Sequence, residues 1–260
     1  MTFELVSLRD LELNEVNWWG LWADVSWLSN YSYVMISRDY DEYFFNRAGF
    51  LECGDARDAI SAAEQAFKAA ARSPCFMVPE ECRGITQILE TKGYGEFDKM
   101  SVMRLDELGF RLATGLNVTS GQAVDARDWA TTFSLSFYGD LRVRNSVAGI
   151  ATRLKSEPSV TFLAGKKAGR VAGVLAVFRT PGLLGVYCVG TLEDHRRSGI
   201  AGSLLHQASQ IASSEGRELV LQTIVSDGVG NFYIAGGFKE LYSKLIMSKG
   251  APRADKNEGA

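Results

Sequence analysis

The sequence is poor in the residues that mark specialised proteins. It has two histidines and four cysteines with no Cys-x-x-Cys spacing, too few imidazole and thiolate groups at metal-binding intervals for a zinc site, so no metal is expected. Cys53, Cys75, Cys82 and Cys188 accordingly read as reduced, mostly buried thiols. Apolar runs are short: stretches such as 171–178 fall far below the roughly 20 residues that cross a bilayer. The acidic, tryptophan-bearing start does not read as a signal peptide, and the expectation is a cytoplasmic protein with no membrane partner. Charge of neither sign dominates. The 28 basic and 31 acidic residues leave a net charge of −3 without a block of either, which argues against a nucleic-acid partner. At 260 residues the chain can bury the core of one or two domains.

What is present reads as an alternation of helices and strands. Trp18 and Trp22 are four apart, with Leu21 and Val25 nearby, as on one helix face, and this cluster reads as a core staple rather than an aromatic cage. Residues 40–45 are expected to form a strand. Residues 55–71 form a helix with an apolar stripe through Ile60, Ala63, Phe67 and Ala70. A strand at 75–78, a helix at 82–92 closed by Gly93 and a strand at 96–104 complete the first half. The pattern weakens over 105–118, as in a linker. The second half begins with a strand near 116–118, a helix capped by Asp125 and a helix at 141–155 stopped before Pro158. Strands follow at 160–164, 171–178 and 184–191, the middle one apolar on both faces as in a covered strand. A helix at 199–213, a parallel strand at 219–225, a short helix at 228–235 and a strand at 238–247 end the pattern. The expected division is residues 1–112, 113–249 and a polar, disordered tail at 250–260.

The chain is organised around residues 187–205. An apolar strand runs into an acidic and basic turn, and then small residues open a helix. Gly199, Ala201 and Gly202 let another molecule approach the main chain. The first helical amides have no intrahelical acceptors and lie at the positive end of the helix dipole, where an anion is favoured. Arg196 and Arg197 add fixed positive charge at the same mouth. A pyrophosphate there would accept charge-assisted hydrogen bonds worth about 1.5–3 kcal/mol each. A tight turn that binds nothing is the alternative reading of the same glycines.

The chain also aligns with itself at an offset of 144 residues. Gly93-Tyr94-Gly95-Glu96-Phe97 falls on Gly237-Phe238-Lys239-Glu240-Leu241, the helix at 57–70 on 201–214, and Tyr43 on Tyr187. The repeat is chemically lopsided, since Glu52, Asp55 and Arg57 stand opposite Arg196, Gly199 and Ala201, and Leu89 stands opposite Tyr233.

These residues resemble the GNAT superfamily of acyl-CoA-dependent N-acetyltransferases. The family signature of Gln or Arg, two residues, Gly, one residue, Gly or Ala is met by Arg196-Arg197-Ser198-Gly199-Ile200-Ala201 after a strand. The recurrent Tyr before a Gly-Phe pair is met by Tyr233 with Gly237-Phe238. Where the family often has Asn, seven residues before that Tyr, this chain has Ser226, and Asn231 lies nearby. The resemblance covers about residues 116–248, and the first half looks like the degenerate first copy of tandem members. It implies an α/β (α+β) fold of two tandem GNAT-like mixed-sheet domains, the N-terminal one truncated and without the cofactor motif. It also implies acetyl-CoA as acyl-donor co-substrate. Val189 and Thr191 would pair with the pantetheine arm, and Arg196, Arg197, Ser198, Gly199, Ile200, Ala201 and Gly202 would hold the pyrophosphate. Ser226 and Asn231 are the remaining cofactor contacts. Tyr233 would be the general acid that protonates the departing thiolate, a role open to a phenol that stays protonated at neutral pH.

The general base is left unassigned, because the 187–191 strand offers no carboxylate. Glu193, Asp194 and His195 sit in the following turn, His206 lies within the helix, and Glu240 faces either site or solvent. The expected function is acetyl transfer to a primary amine of a small molecule or peptide by direct attack on the thioester, with room left for a homodimer. The alternative is a non-catalytic module that senses acyl-CoA or a metabolite.

Overall fold

The computed structural model describes residues 6–250, so the expected disordered tail beyond Gly250 lies outside the described residues. The fold is mixed α/β and forms two compact units interleaved in sequence. Among the described residues, one comprises 6–102, Thr223–Gly230 and 240–250; the other comprises Met103–Gln222 and Asn231–Lys239. No single cut near residue 112 separates them.

In the first unit, α1 (Leu8–Trp19) starts at a capping box, Ser7 accepting from the Asp10 amide and Asp10 from that of Ser7. Its buried side carries Leu11, Val16, Trp18 and Trp19, and also Glu12 and Glu15. A hairpin of β1 (Asp24–Ser29) and β2 (Ser32–Ile36) follows, a pair absent from the sequence reading. β3 (Arg47–Phe50) is antiparallel to β2 and parallel to β4 (Cys75–Pro79), with α2 (Arg57–Ala69) as the crossover. α2 buries Ile60, Ala63 and Phe67 in a core shared with Val34, Phe50, Phe76 and Val78. α3 (Arg83–Thr91) and β5 (Gly95–Leu105) come next. β4 also pairs antiparallel with the last strand, β11 (Phe238–Ser248), Cys75 opposite Ser248.

Two expectations fail here. Residues 40–45 form turns rather than a strand, with the amides of Phe45 and Asn46 donating to the carbonyls of Glu42 and Tyr43. The aromatic run exists to bury rings, as Phe44 and Phe45 pack edge-on against Trp19 at 4.5 and 5.4 Å between centroids. Cys53 and Cys82 are not reduced thiols but form a disulfide, 4.8 Å between Cα atoms, which ties the loop after β3 to the start of α3. Cys75 and Cys188 are free and buried.

In the second unit, β6 (Asn117–Ser120), β7 (Val160–Lys167), β8 (Arg170–Thr180) and β9 (Leu183–Thr191) are successively antiparallel. β9 is parallel to β10 (Glu218–Ile224), joined through α6 (Ile200–Glu215). β8 is buried on both faces, as its sequence demanded. α4 (Ala126–Tyr138), capped by Asp125, precedes α5 (Arg144–Leu154); α7 (Gly230–Ala235) leads into β11. Ile200, Leu204, Leu205, Ala208 and Ala212 of α6 pack with Leu175, Val177, Val186 and Leu221.

Moved by 144 residues, α2, β4, α3 and β5 fall on α6, β10, α7 and β11. β3 does not fall on β9, because six residues separate β3 from α2 and eight separate β9 from α6. Tyr43 therefore sits in a turn while Tyr187 is on a strand.

Candidate active site

The site is built where β9 parts from β10. Their parallel pairing runs from Leu183 opposite Glu218 to Val186 opposite Leu221 and stops, although β9 continues to Thr191. At the same point β9 bulges: Cys188 and Val189 together face the single Leu175, between the pairs Ala176–Tyr187 and Val174–Gly190. Cys188 holds the bulge at φ 56°, a left-handed conformation uncommon for a side chain with a Cβ. Burial pushes its thiol pKa up, which makes it an inert packing group rather than a nucleophile. The Leu192 amide donates to the Ala172 carbonyl at 3.0 Å, so by strand alternation Thr191 turns its main-chain groups to the opposite, open edge. Gly190 is required by α4, since a Cβ there would stand 3.0 Å from the Ser136 Cβ and 3.1 Å from the Phe137 ring.

Beyond β9 the chain makes one turn over Glu193–His195, and Ser198 Oγ donates to the His195 carbonyl at 2.5 Å. Arg197 (φ 58°) and Gly199 (φ 83°) are left-handed, and α6 starts at Ile200. Such a conformation at a non-glycine costs about 1–3 kcal/mol and is met chiefly where the backbone is shaped for a ligand. Among the described residues, no acceptor lies within hydrogen-bond range of the Arg197, Ser198, Gly199, Ile200, Ala201 or Gly202 amides, and no carboxylate lies within ion-pair range of Arg196 or Arg197. The arrangement brings together free amides, the positive end of a 16-residue helix and two exposed guanidiniums, features that favour an anion.

Tyr233 lies in α7, is buried and packs its ring near Phe232 (5.2 Å) and Phe238 (5.9 Å) in the same core cluster as Val186 and Leu221. Val189, Thr191, residues 196–202, Asn231 and Tyr233 thus all belong to the second unit. Asn231 is exposed at the start of α7. Ser226 is placed differently. It belongs to the first unit, and its hydroxyl donates to Asp98 at 2.5 Å while its amide donates to the same carboxylate at 3.3 Å. Glu240, also in the first unit, accepts from Ser101 and Ser243. His195 lies 3.9 Å from Asp194, and His206 pairs with Gln210 one turn on.

Sequence reasoning missed the segment 106–113. Far from a bare linker, it is fastened across α6. The amides of Asp106 and Gly109 donate to the carbonyls of Gly237 and Gly236, each at 3.0 Å, and the Ala113 amide donates to Ser203 Oγ at 2.8 Å. The Phe110 ring lies 5.1 Å from that of Phe232 and 6.1 Å from that of Phe238. A Cβ on Gly199 would stand 2.9 Å from the Ala113 nitrogen, and one on Gly202 2.7 Å from the Arg111 carbonyl oxygen. The close approach that these glycines permit is therefore made by the chain itself. The signal was the run of small residues 199–203, which accommodates either occupant.

Residues 124–233 match the profile of the Acetyltransferase (GNAT) family. None of the curated proteins matches the sequence. Among solved structures, it is similar to a GCN5-related N-acetyltransferase from Kribbella flavida, with 19% identity and a TM-score of 0.70, over 95% of this chain and 96% of that one. A GCN5-related N-acetyltransferase from Sphaerobacter thermophilus matches at 13% identity and a TM-score of 0.64, over 85% and 81%. A tandem GNAT protein from the clavulanic acid biosynthesis pathway matches at 11% identity and a TM-score of 0.58, over 77% and 74%. At these identities the likeness is one of fold. No helix among the described residues is long and apolar enough to cross a membrane, and no group of His, Cys, Asp and Glu among them is arranged to hold a metal ion.

Proposed function

We propose that the protein transfers an acetyl group from acetyl-CoA to a primary amine of a small molecule or peptide. The observation that carries this is the parting of β9 from β10 beyond Val186 and Leu221, directly before a helix start whose amides and two arginines have no partner among the described residues. These residues fit the coenzyme: an added strand suits the open edge at Thr191, and a diphosphate suits the mouth formed by residues 196–202. When bound, the coenzyme supplies an acyl group activated as a thioester.

The chain's part is positional and electrostatic. The edge of β9 from Val189 to Thr191 orients the pantetheine arm and leaves the thioester carbonyl open to an attacking amine. That amine must be neutral, because an ammonium has no lone pair. As the new C–N bond forms and the C–S bond breaks, negative charge gathers on sulfur. The Tyr233 hydroxyl donates its proton there, its burial strengthens the interaction, and the proton released by the attacking nitrogen passes through solvent and restores the phenol. Asn231, exposed at the mouth of α7, is retained as a coenzyme contact. Ser226 belongs to the first unit, and its hydroxyl is committed to Asp98. The first half, with Glu52, Asp55 and Leu89 at the repeat positions of Arg196, Gly199 and Tyr233, is a tandem copy that has lost the site and serves as scaffold.

A thiol-release assay with acetyl-CoA and a panel of small and peptidyl amines tests the proposal. Release that depends on one acceptor class is expected. Coenzyme binding without release for any amine would instead make the protein an acyl-CoA sensor.

A further inference from the structure

We propose that the segment 106–113 is a wall of the coenzyme site and that Arg111, carried on it, is a phosphate-binding residue beside Arg196 and Arg197; this rests on the acetyl-CoA reading above. Residue 111 is held on both sides. Phe110 is wedged against Phe232 and Phe238, and Ala113 is bonded to Ser203, so the main chain between them has little freedom. The Arg111 carbonyl lies over the first turn of α6: ideal Cβ positions on Gly199 and Gly202 stand 3.1 and 2.7 Å from it. The side chain leaves this fixed point exposed, with a stem long enough to reach around the turn to the helix mouth.

The charge distribution agrees. Arg111, Arg196 and Arg197 are all exposed, and among the described residues no carboxylate lies within ion-pair range of any of them. Of the two acids on its own anchor, Asp106 and Glu107, the first is taken by Lys239. Three guanidiniums around one helix start repel one another and are favourable together only with an anion among them. A coenzyme with a diphosphate and a separate phosphomonoester carries more negative charge than the mouth at 196–202 can neutralise alone. Guanidinium suits that need, since its planar fork binds phosphate oxygens in pairs.

The test measures acetyl-CoA affinity of the full chain by calorimetry, with thermal melts as a fold control. Arg111→Ala is expected to weaken binding by about tenfold or more, as loss of a charge-assisted hydrogen bond does, with an unchanged melting temperature. Arg111→Lys should recover part of the loss. Arg170→Ala, which removes the same charge elsewhere on the second unit, should leave affinity as it was. Unchanged affinity in Arg111→Ala would overturn the assignment. Tighter binding would overturn it too, since the segment would then compete with the coenzyme. If the unaltered chain binds no acetyl-CoA, the proposed function itself falls, and this inference with it.

Discussion

A methyl group on Gly202 would stand 2.7 Å from the carbonyl oxygen of Arg111. The opposing atom is main chain, so no side-chain rotation relieves the contact. Gly202→Ala is therefore expected to cost about 1–3 kcal/mol, the range for overpacking a tight interior contact, and to weaken acetyl-CoA binding by shifting the segment. Ala201→Glu asks a different question, placing a carboxylate among the amides at the start of α6. Affinity should then fall about tenfold or more through charge repulsion with little change in melting temperature. Calorimetry and thermal melts on both variants separate the two effects, and an unchanged dissociation constant in Ala201→Glu would remove the phosphate-site assignment.

Tyr233 serves both the core and the proposed chemistry, so the choice of substitution matters. Its ring packs near Phe232 and Phe238, and Tyr233→Phe keeps that packing while deleting the hydroxyl. Turnover at saturating substrates should fall roughly 10²-fold or more, the usual contribution of a positioned general acid, and acetyl-CoA affinity should hold. A loss of affinity with unchanged turnover would make Tyr233 a binding group and return the search for the acid to other residues.

The second unit was legible because its strands are apolar enough to mark themselves: β8 is buried along nearly its whole length, and the Gly-Ile-Ala-Gly run falls at the start of α6. The first unit was harder to read. β1 is exposed or half-exposed throughout, so Val25 and Trp27 show no one-sided alternation against Ser26 and Leu28. β3 hides behind Arg47, a charged residue fully buried only because Glu15, thirty-two positions earlier, meets it at 2.7 Å. No local pattern reports such a partner. The Cys53–Cys82 pairing is also a tertiary fact, and so is the segment 106–113, whose sequence is that of any linker while its anchors come from α6, α7 and the turn before β11.

The disulfide closes a loop of 29 residues in the first unit. At the 144-residue offset, Cys53 and Cys82 correspond to Arg197 and Ser226, so the bond joins the loop after β3 to the start of α3 at the positions that match the turn before α6 and the approach to α7. A bridge of this length stabilises by about 2–4 kcal/mol, mainly by restricting the unfolded chain. Cys53→Ser with Cys82→Ser should lower stability in chemical denaturation by that amount, and reduction of the unaltered protein should reproduce the loss. Acetyl-CoA affinity should not change in either case, and a change would mean that the first unit takes part in binding.

Lys244 is fully buried between two carboxylates, 3.0 Å from Glu12 and in direct contact with Glu15, which also holds Arg47; the Tyr242 hydroxyl donates to Glu12. Burial alone would lower the Lys244 pKa, but Glu12 and Glu15 outweigh it and raise it to about 12. Burial raises the phenol pKa values of Tyr33 and Tyr242 as well. A group raised on folding stabilises fully below its unfolded pKa and loses that contribution as pH climbs through the folded value. All three therefore act in one direction, and stability should decline from about pH 10 upward and steepen toward about pH 12. The acid side is mixed. Burial would raise the Glu15 pKa, but Lys244 and Arg47 hold it below the ordinary value, so its contribution is present above about pH 4.5 and lost as pH falls through the folded pKa. Glu12, raised chiefly by burial, works the opposite way. Lys244→Met leaves both carboxylates buried with Arg47 alone, and should cost about 3–5 kcal/mol near neutral pH, as breaking a buried ion pair does. Urea unfolding across the alkaline range checks both statements: the variant should show a shallower decline than the unaltered chain. Equal slopes would place the alkaline loss outside this network.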